Sequence, residues 1–165
     1  MQDRLNRVTI YTDGACIGNP GPGGYGAVLL HRGRRKELSG GYNKTTNNRM
    51  EIMAAIVGLG ALKERCRVTL YSDSEYLVKA MSEGWVQRWR ANGWKRNKKE
   101  RALNPDLWER LLQLCEHHKV EFKWVKGHAG NSENLRCDEL AMQAAQQPNL
   151  PIDEGYEGQL FNSRI

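Results

Sequence analysis

Four carboxylates stand where surface charge is a poor explanation for them. Asp13 closes the alternating run Val8–Thr12 and precedes a glycine, and Asp73 follows the run Val68–Ser72 inside Ser-Asp-Ser. A single Asp at a strand end usually forms a turn or caps the next helix, and Asp73 could cap one opening at Ser74. Two such acids at the same end of neighbouring parallel strands mean more, because ligand sites of α/β folds gather beyond carboxyl ends. Glu51 lies in a helical pattern whose positions three, four, seven and eleven residues on are Ala54, Ala55, Gly58 and Leu62. That small apolar face lets a helix approach a sheet closely. Asp138 repeats the pattern with Leu135, Ala141, Met142 and Ala145. Each acid is thus aligned with a face expected to pack inward, where a lone charge is costly.

Two kinds of compensation are open. Salt bridges are one, although the nearby Arg49 and Arg136 fall off the two inward faces. Divalent metal is the other: hard cations prefer oxygen ligands, and four carboxylates drawn from four segments can hold two ions. Without metal the like charges repel, so the cluster should be strained and its titrations coupled. Cys16, Cys66, Cys115 and Cys137 lie far apart with no C-x-x-C spacing, which argues against a zinc site and for free thiols in a cytoplasmic protein. His128, in Val-Lys-Gly-His-Ala-Gly, reads as a loop histidine, and loops carry function more often than scaffolds do. His117 and His118 end a helix, where a cation is simply favourable, and receive no catalytic role.

The elements that must position these groups follow from periodicity. Strands are expected at Val8–Thr12, Tyr25–Leu30 and Glu37–Tyr42, the last two joined by a turn short enough for an antiparallel hairpin. The Gly- and Pro-rich stretch from Gly18 to Gly24 reads as neither helix nor regular strand. A helix from about Arg49 to Leu62, a strand at Val68–Ser72 and a helix at Ser74–Ser82 come next. Asn104-Pro105 then opens a helix, with Asn as cap and Pro at the first helical position. Its apolar stripe is Leu107, Trp108, Leu111, Leu112 and Cys115. A fifth strand, Val120–Val125, and a last helix, Glu133–Ala145, complete an α/β fold: a five-stranded mixed sheet, three antiparallel strands and then parallel ones, flanked by helices. Residues 1–147 form one domain in this reading, and 148–165 a loosely ordered tail.

Charge is concentrated. The whole chain of 165 residues carries +6, with 39% hydrophobic residues, which suits one domain with a sizeable core. Between Trp85 and Arg101, seven basic residues face one acid, a local charge equal to that of the entire chain. Arg88, Arg90, Lys95, Arg96, Lys98, Lys99 and Arg101 are interleaved with Trp85, Trp89 and Trp94. Trp85 and Trp89 share a helical face, so at least one belongs to the core. The charges themselves suit a nucleic-acid backbone. No apolar run is long enough to cross a bilayer, and Met1 to Arg7 lacks the apolar core of a secretory signal.

Several strings in order resemble the type 1 ribonuclease H family in its bacterial form. They are Tyr-Thr-Asp-Gly-Ala-Cys-Ile-Gly-Asn-Pro-Gly-Pro-Gly-Gly from Tyr11, Thr-Asn-Asn-Arg-Met-Glu ending at Glu51, Ser-Asp-Ser around Asp73, Trp-Val-Lys-Gly-His-Ala-Gly from Trp124 and Arg-Cys-Asp-Glu-Leu-Ala from Arg136. The resemblance implies a ribonuclease H-like fold and an endonuclease that cuts the RNA strand of RNA–DNA hybrids with little sequence specificity. It implies two Mg²⁺ per active site with substrate, Mn²⁺ being able to substitute, and products bearing 5′-phosphate and 3′-hydroxyl ends. Asp13, Glu51, Asp73 and Asp138 fall on the family's metal positions and His128 on its flexible-loop histidine. Asn19, Thr46 and Asn47 fall where the family grips the DNA strand, and the segment holding Trp85, Arg88, Trp89, Lys95, Arg96, Lys98 and Lys99 looks like its basic protrusion. Two residues depart from the pattern: Glu75 stands where many relatives have Gln, beside the substrate path, and Leu135 where an acid is common. A monomer with no obligatory protein partner is expected. The competing classes are a metal-dependent nuclease or strand-transfer enzyme of the same general fold acting on DNA, a hybrid-binding module without turnover, and a structural role for the acids in salt bridges.

Overall fold

A computed structural model describes residues 4–127 and 131–163. Three strands open it, β1 (Asn6–Cys16), β2 (Gly21–His31) and β3 (Arg34–Thr45), followed by α1 (Asn47–Gly60) and β4 (Cys66–Ser72). Then come α2 (Glu75–Ser82), α3 (Trp85–Ala91), α4 (Pro105–His117), β5 (Lys119–Trp124), α5 (Ser132–Ala145) and α6 (Glu154–Ser163). The sheet order is β3-β2-β1-β4-β5. β1 pairs antiparallel with β2 and parallel with β4, and β5 extends the parallel side. The mixed sheet expected from the sequence is the sheet observed.

Two strand boundaries differ from expectation for one reason. Asp13 does not end β1, which continues to Cys16, and the glycine-rich stretch enters β2 at Gly21, with a register shift between Gly21 and Gly23. Glycine in a strand marks close backbone approach as often as a break. A Cβ on Gly24 would collide with the Ala141 carbonyl of α5, so the missing side chain seats that helix on the sheet.

One apolar layer joins the sheet to α1, α2, α3 and α4 through Ile10, Leu70, Ile52, Ile56, Trp108 and Leu111. The other face holds α5 against β1, β2 and β3, with Val28, Cys137 and Leu140 at its centre. Trp89 is buried edge-on against Trp108, while Trp85 is half-buried beside it. Of the expected α4 stripe, Leu107, Trp108, Leu111 and Leu112 are buried and Cys115 is half-buried.

The remaining corrections concern polar groups. Asn104 precedes α4 but makes no side-chain cap; its Oδ1 accepts from Arg49 instead. Arg49, off the acid face of α1 as expected, is nevertheless only 1% exposed. Its guanidinium donates to Asp106 and Asp153, with the Asp153 contacts at 2.8 and 3.0 Å. That pairing is why the chain after Pro148 is not the loose tail its composition suggests. Asp153 also accepts from Thr45 Oγ1 at 2.6 Å and from the Tyr156 backbone, and Tyr156 is buried. His118 is buried as well, and its Nδ1 accepts the Cys66 backbone N–H at 3.0 Å. A nitrogen that accepts carries no proton, so the favourable cation expected at this helix end is a neutral imidazole.

Candidate active site

The register explains how two acids meet. Thr12 of β1 pairs with Ser72 of parallel β4, so the next residues, Asp13 within β1 and Asp73 just past the end of β4, stand side by side on adjacent strands running in the same direction. Glu51 arrives from α1, whose start is fixed by Thr46: its side chain accepts from the Arg49 backbone N–H. Gly14 completes the junction, because a Cβ there would collide with the Glu51 backbone nitrogen. Asp73 is not the cap of α2; Ser74 is, accepting from Leu77. The carboxylate of Asp73 is thereby left to the cleft.

Asp13, Glu51 and Asp73 each place a carboxylate oxygen within 4.8 Å of the other two. Asp138 lines the same cleft of about 400 Å³, together with Asn47 and Cys16. It reaches the cleft from the rim of α5, not from its packed face. The buried residues there are Asn134, Cys137, Leu140, Ala141, Ala144 and Ala145, whereas Leu135 is exposed. Helical spacing groups Leu135 with Asp138, and the offset of one position places Asp138 at the boundary.

The electrostatics are those of an uncompensated site. Burial first, and the neighbouring Asp73 second, push Asp13 up to about 8. Burial, with Asp13 and Asp73 adding to it, holds the Glu51 carboxyl well above the usual range. Among the described residues no ion pair reaches Asp13, Glu51 or Asp73, and the buried Glu51 Oε2 has no hydrogen-bond partner. A half-satisfied buried carboxylate is expensive. An all-oxygen donor set with an orphaned oxygen fits a hard divalent cation, and the salt-bridge alternative finds no cation in place. Arg136 is engaged elsewhere, with Glu37 and Glu139.

The other expected contacts are distributed around the cleft. Asn19 Oδ1 accepts the Asn47 backbone N–H at 3.1 Å, tying the β1–β2 turn to the first turn of α1. Exposed Glu75 is 3.7 Å from Lys79 on the same helix. In the basic segment, Arg88 donates to the Glu83 carbonyl, Arg90 is paired with Glu116 and Arg96 with Glu100. Lys95, Lys98 and Lys99 are exposed, with no ion pair among the described residues. His128 lies outside the described residues. Trp124, to which sequence pattern gives no site role, donates its indole N–H to the Asp73 carbonyl at 3.1 Å. An aromatic ending an edge strand, opposite the residue before a cleft acid, was the available signal.

Comparison with known proteins agrees with this geometry. The sequence model of the RNase H family matches residues 5–146. A ribonuclease H from Desulforamulus reducens is 68% identical over 149 residues, 90% of this chain and 94% of that protein. Among solved structures, LC9-RNase H1, a type 1 RNase H with the type 2 active-site motif, superimposes with a TM-score of 0.77 at 33% identity, over 96% of this chain and 82% of the other. LC11-RNase H1 in complex with an RNA/DNA hybrid gives a TM-score of 0.65 at 26% identity, over 84% of this chain and 96% of that one. Sheet order, acid cleft and sequence relationship converge: the chain belongs to the ribonuclease H family.

Proposed function

We propose that the cleft hydrolyses the RNA strand of RNA–DNA hybrids as a metal-dependent endonuclease, with Asp13, Glu51, Asp73 and Asp138 holding divalent ions, Mg²⁺ in the first instance. The observation that carries the assignment of residues is the convergence of three carboxylates within 4.8 Å around an oxygen that has no protein partner. A cation bound there neutralises charge growing on phosphoryl oxygens and lowers the pKa of a coordinated water. The chain's own residues supply geometry. Adjacent strands aim Asp13 and Asp73, a capped helix start aims Glu51, and α5 brings Asp138 to the rim. Asn47, tied to Asn19, lines the cleft beside the acids, where a minor groove with 2′-hydroxyls on one strand would lie. The lysines at 95, 98 and 99 supply sequence-blind phosphate contacts. His128, outside the described residues, is assigned proton transfer or product release by its residue type.

The test compares hybrid, duplex DNA and duplex RNA in Mg²⁺, with Asp13→Asn as control. Cleavage confined to the RNA of the hybrid, and lost in the variant, is the expected result. Duplex DNA cut at a comparable rate would move the protein to the DNA-cutting class, and binding without product would make it a hybrid-binding module.

A further inference from the structure

Of the three clustered acids, Asp73 has the least support on its own side chain. Asp13 Oδ1 accepts the Gly14 backbone N–H at 2.9 Å, and Glu51 is embedded in a helix. Asp73 follows the last residue of β4; its carboxylate is in hydrogen-bond contact with the Asp13 carboxyl, a member of the same cluster, and among the described residues no protein N–H donates to it. Its position therefore depends on what holds its backbone.

The end of β5 provides that hold. Trp124 pairs with Ser72 in the parallel ladder, and the Val125 N–H donates to the Ser72 carbonyl at 2.9 Å, continuing the ladder one step past the strand. The next carbonyl, that of Asp73, receives a side chain in place of a backbone group: Trp124 Nε1 at 3.1 Å. Two residues after Val125 the chain passes directly over the acid, because a Cβ on Gly127 would stand 3.0 Å from Asp73 Oδ2. Trp124 is 47% exposed, so its large ring is not there to fill the core. An exposed Trp kept for its N–H, beside an acid whose side chain no protein N–H holds among the described residues, is a positioning group.

We propose that Trp124 is a positioning residue for the metal cleft, its indole N–H fixing the Asp73 backbone and so the separation of Asp73 from Asp13 and Glu51. This rests on the reading of those three acids as metal ligands. Loss of the N–H leaves the Asp73 turn able to swing outward from the other two acids. The cost falls on metal affinity and on turnover at limiting metal, not on hybrid binding.

Trp124→Phe keeps an aromatic ring and removes only the donor, whereas Trp124→Ala removes both. Calorimetric titration with Mg²⁺ and Mn²⁺, alongside steady-state cleavage, separates the possibilities. Both variants are expected to bind metal roughly 3–10-fold more weakly than wild type, about the loss of one hydrogen bond. kcat should fall at limiting metal and recover at saturating Mn²⁺, with KM for hybrid unchanged in Trp124→Phe. Circular dichroism and thermal melting near wild type would show the fold is intact, as an exposed side chain allows. Wild-type metal affinity in a folded Trp124→Phe overturns the inference, as does a loss confined to KM in Trp124→Ala. Absence of metal binding in wild type itself would instead overturn the metal reading of the cleft.

Discussion

Among the described residues, carboxylates are buried in two places and treated in opposite ways. At the junction of α1, α4 and the C-terminal segment, Asp153 accepts from Thr45 Oγ1, Arg49 Nε and Nη2 and the Tyr156 backbone. Every charge there has a partner of opposite sign within 3 Å. Two residues along the same helix, Glu51 faces Asp13 and Asp73 with one oxygen unpartnered and, among the described residues, no ion pair to any of the three. Arg49 and Glu51 thus belong to one short stretch of α1 that anchors a structural network on one side and an acid cleft on the other. The difference teaches which cluster is for stability: evolution of a scaffold satisfies buried polar groups, and leaves them unsatisfied where a ligand will do so.

The comparison breaks most decisively in activity. Asp13→Asn is expected to lower hybrid cleavage by about 10³-fold or more, equivalent to ~4 kcal/mol of barrier, with an unchanged circular dichroism spectrum. Asp153→Asn should leave the rate within about twofold at a temperature where the variant is folded, since it touches only the paired network. A rate loss in Asp153→Asn as large as that of Asp13→Asn would mean that the two clusters are one functional unit.

Stability should reverse the ranking. Arg49→Ala strands Asp153 without its cation, and removing one partner of a buried pair costs about 3–5 kcal/mol. Urea unfolding measures it directly; a loss below 1 kcal/mol would show that the network is dispensable.

How far this contrast could be read from sequence depends on the range of the interactions. The mixed sheet and the convergence of the four acids on one cleft were legible because each rests on local pattern: alternation in Val8–Thr12 and Val68–Ser72, helical spacing around Glu51, and motif strings with fixed residues. The role of Arg49 was not, since its partners lie 57 and 104 residues away and no local period reports them. The C-terminal segment was misjudged for the same reason: Asp153 is ordered by a guanidinium that composition does not reveal. Asp138 was placed one step too far inward because α5 packs with a face centred on Cys137 and Ala141. Trp124 was missed because its role is an indole N–H, while periodicity reads only its bulk.

The pH dependence of stability sharpens the contrast at smaller amplitude. Asp13 is held up to about 8 in the folded, metal-free protein, above its ordinary value of 3.8. A raised carboxyl binds its proton more tightly folded than unfolded, so its stabilising contribution is full below pH 4. It is lost progressively as pH rises through about 8. At pH 8.5 the metal-free wild type should therefore be less stable than Asp13→Asn by roughly 1–3 kcal/mol, and the gap should close toward pH 4. Saturating Mg²⁺ should stabilise wild type at pH 8.5 and leave Asp13→Asn nearly unmoved, because a ligand stabilises only the state that binds it. A gap independent of pH would show that the acids are not strained by one another.

His118 gives the smallest effect and the opposite sign. Burial, then the charges of His117 and Arg65, lower its pKa, and its Nδ1 must stay unprotonated to accept the Cys66 N–H. A depressed imidazole contributes stability above its unfolded value near 6.5, and that contribution is lost as pH falls below it. Asp13 gains stability over the same descent, so the two contributions oppose each other between pH 7 and 5 and mask one another in wild type. An Asp13→Asn background removes the larger one. In that background, protonating His118 sacrifices a single buried hydrogen bond, a loss of about 1 kcal/mol. His118→Asn offers an oxygen near the position of Nδ1 and does not titrate, so it should keep most of the stability at pH 7 and abolish its decline toward pH 5. An undiminished decline in the double variant would assign the acid sensitivity to another group and leave His118 a packing residue only.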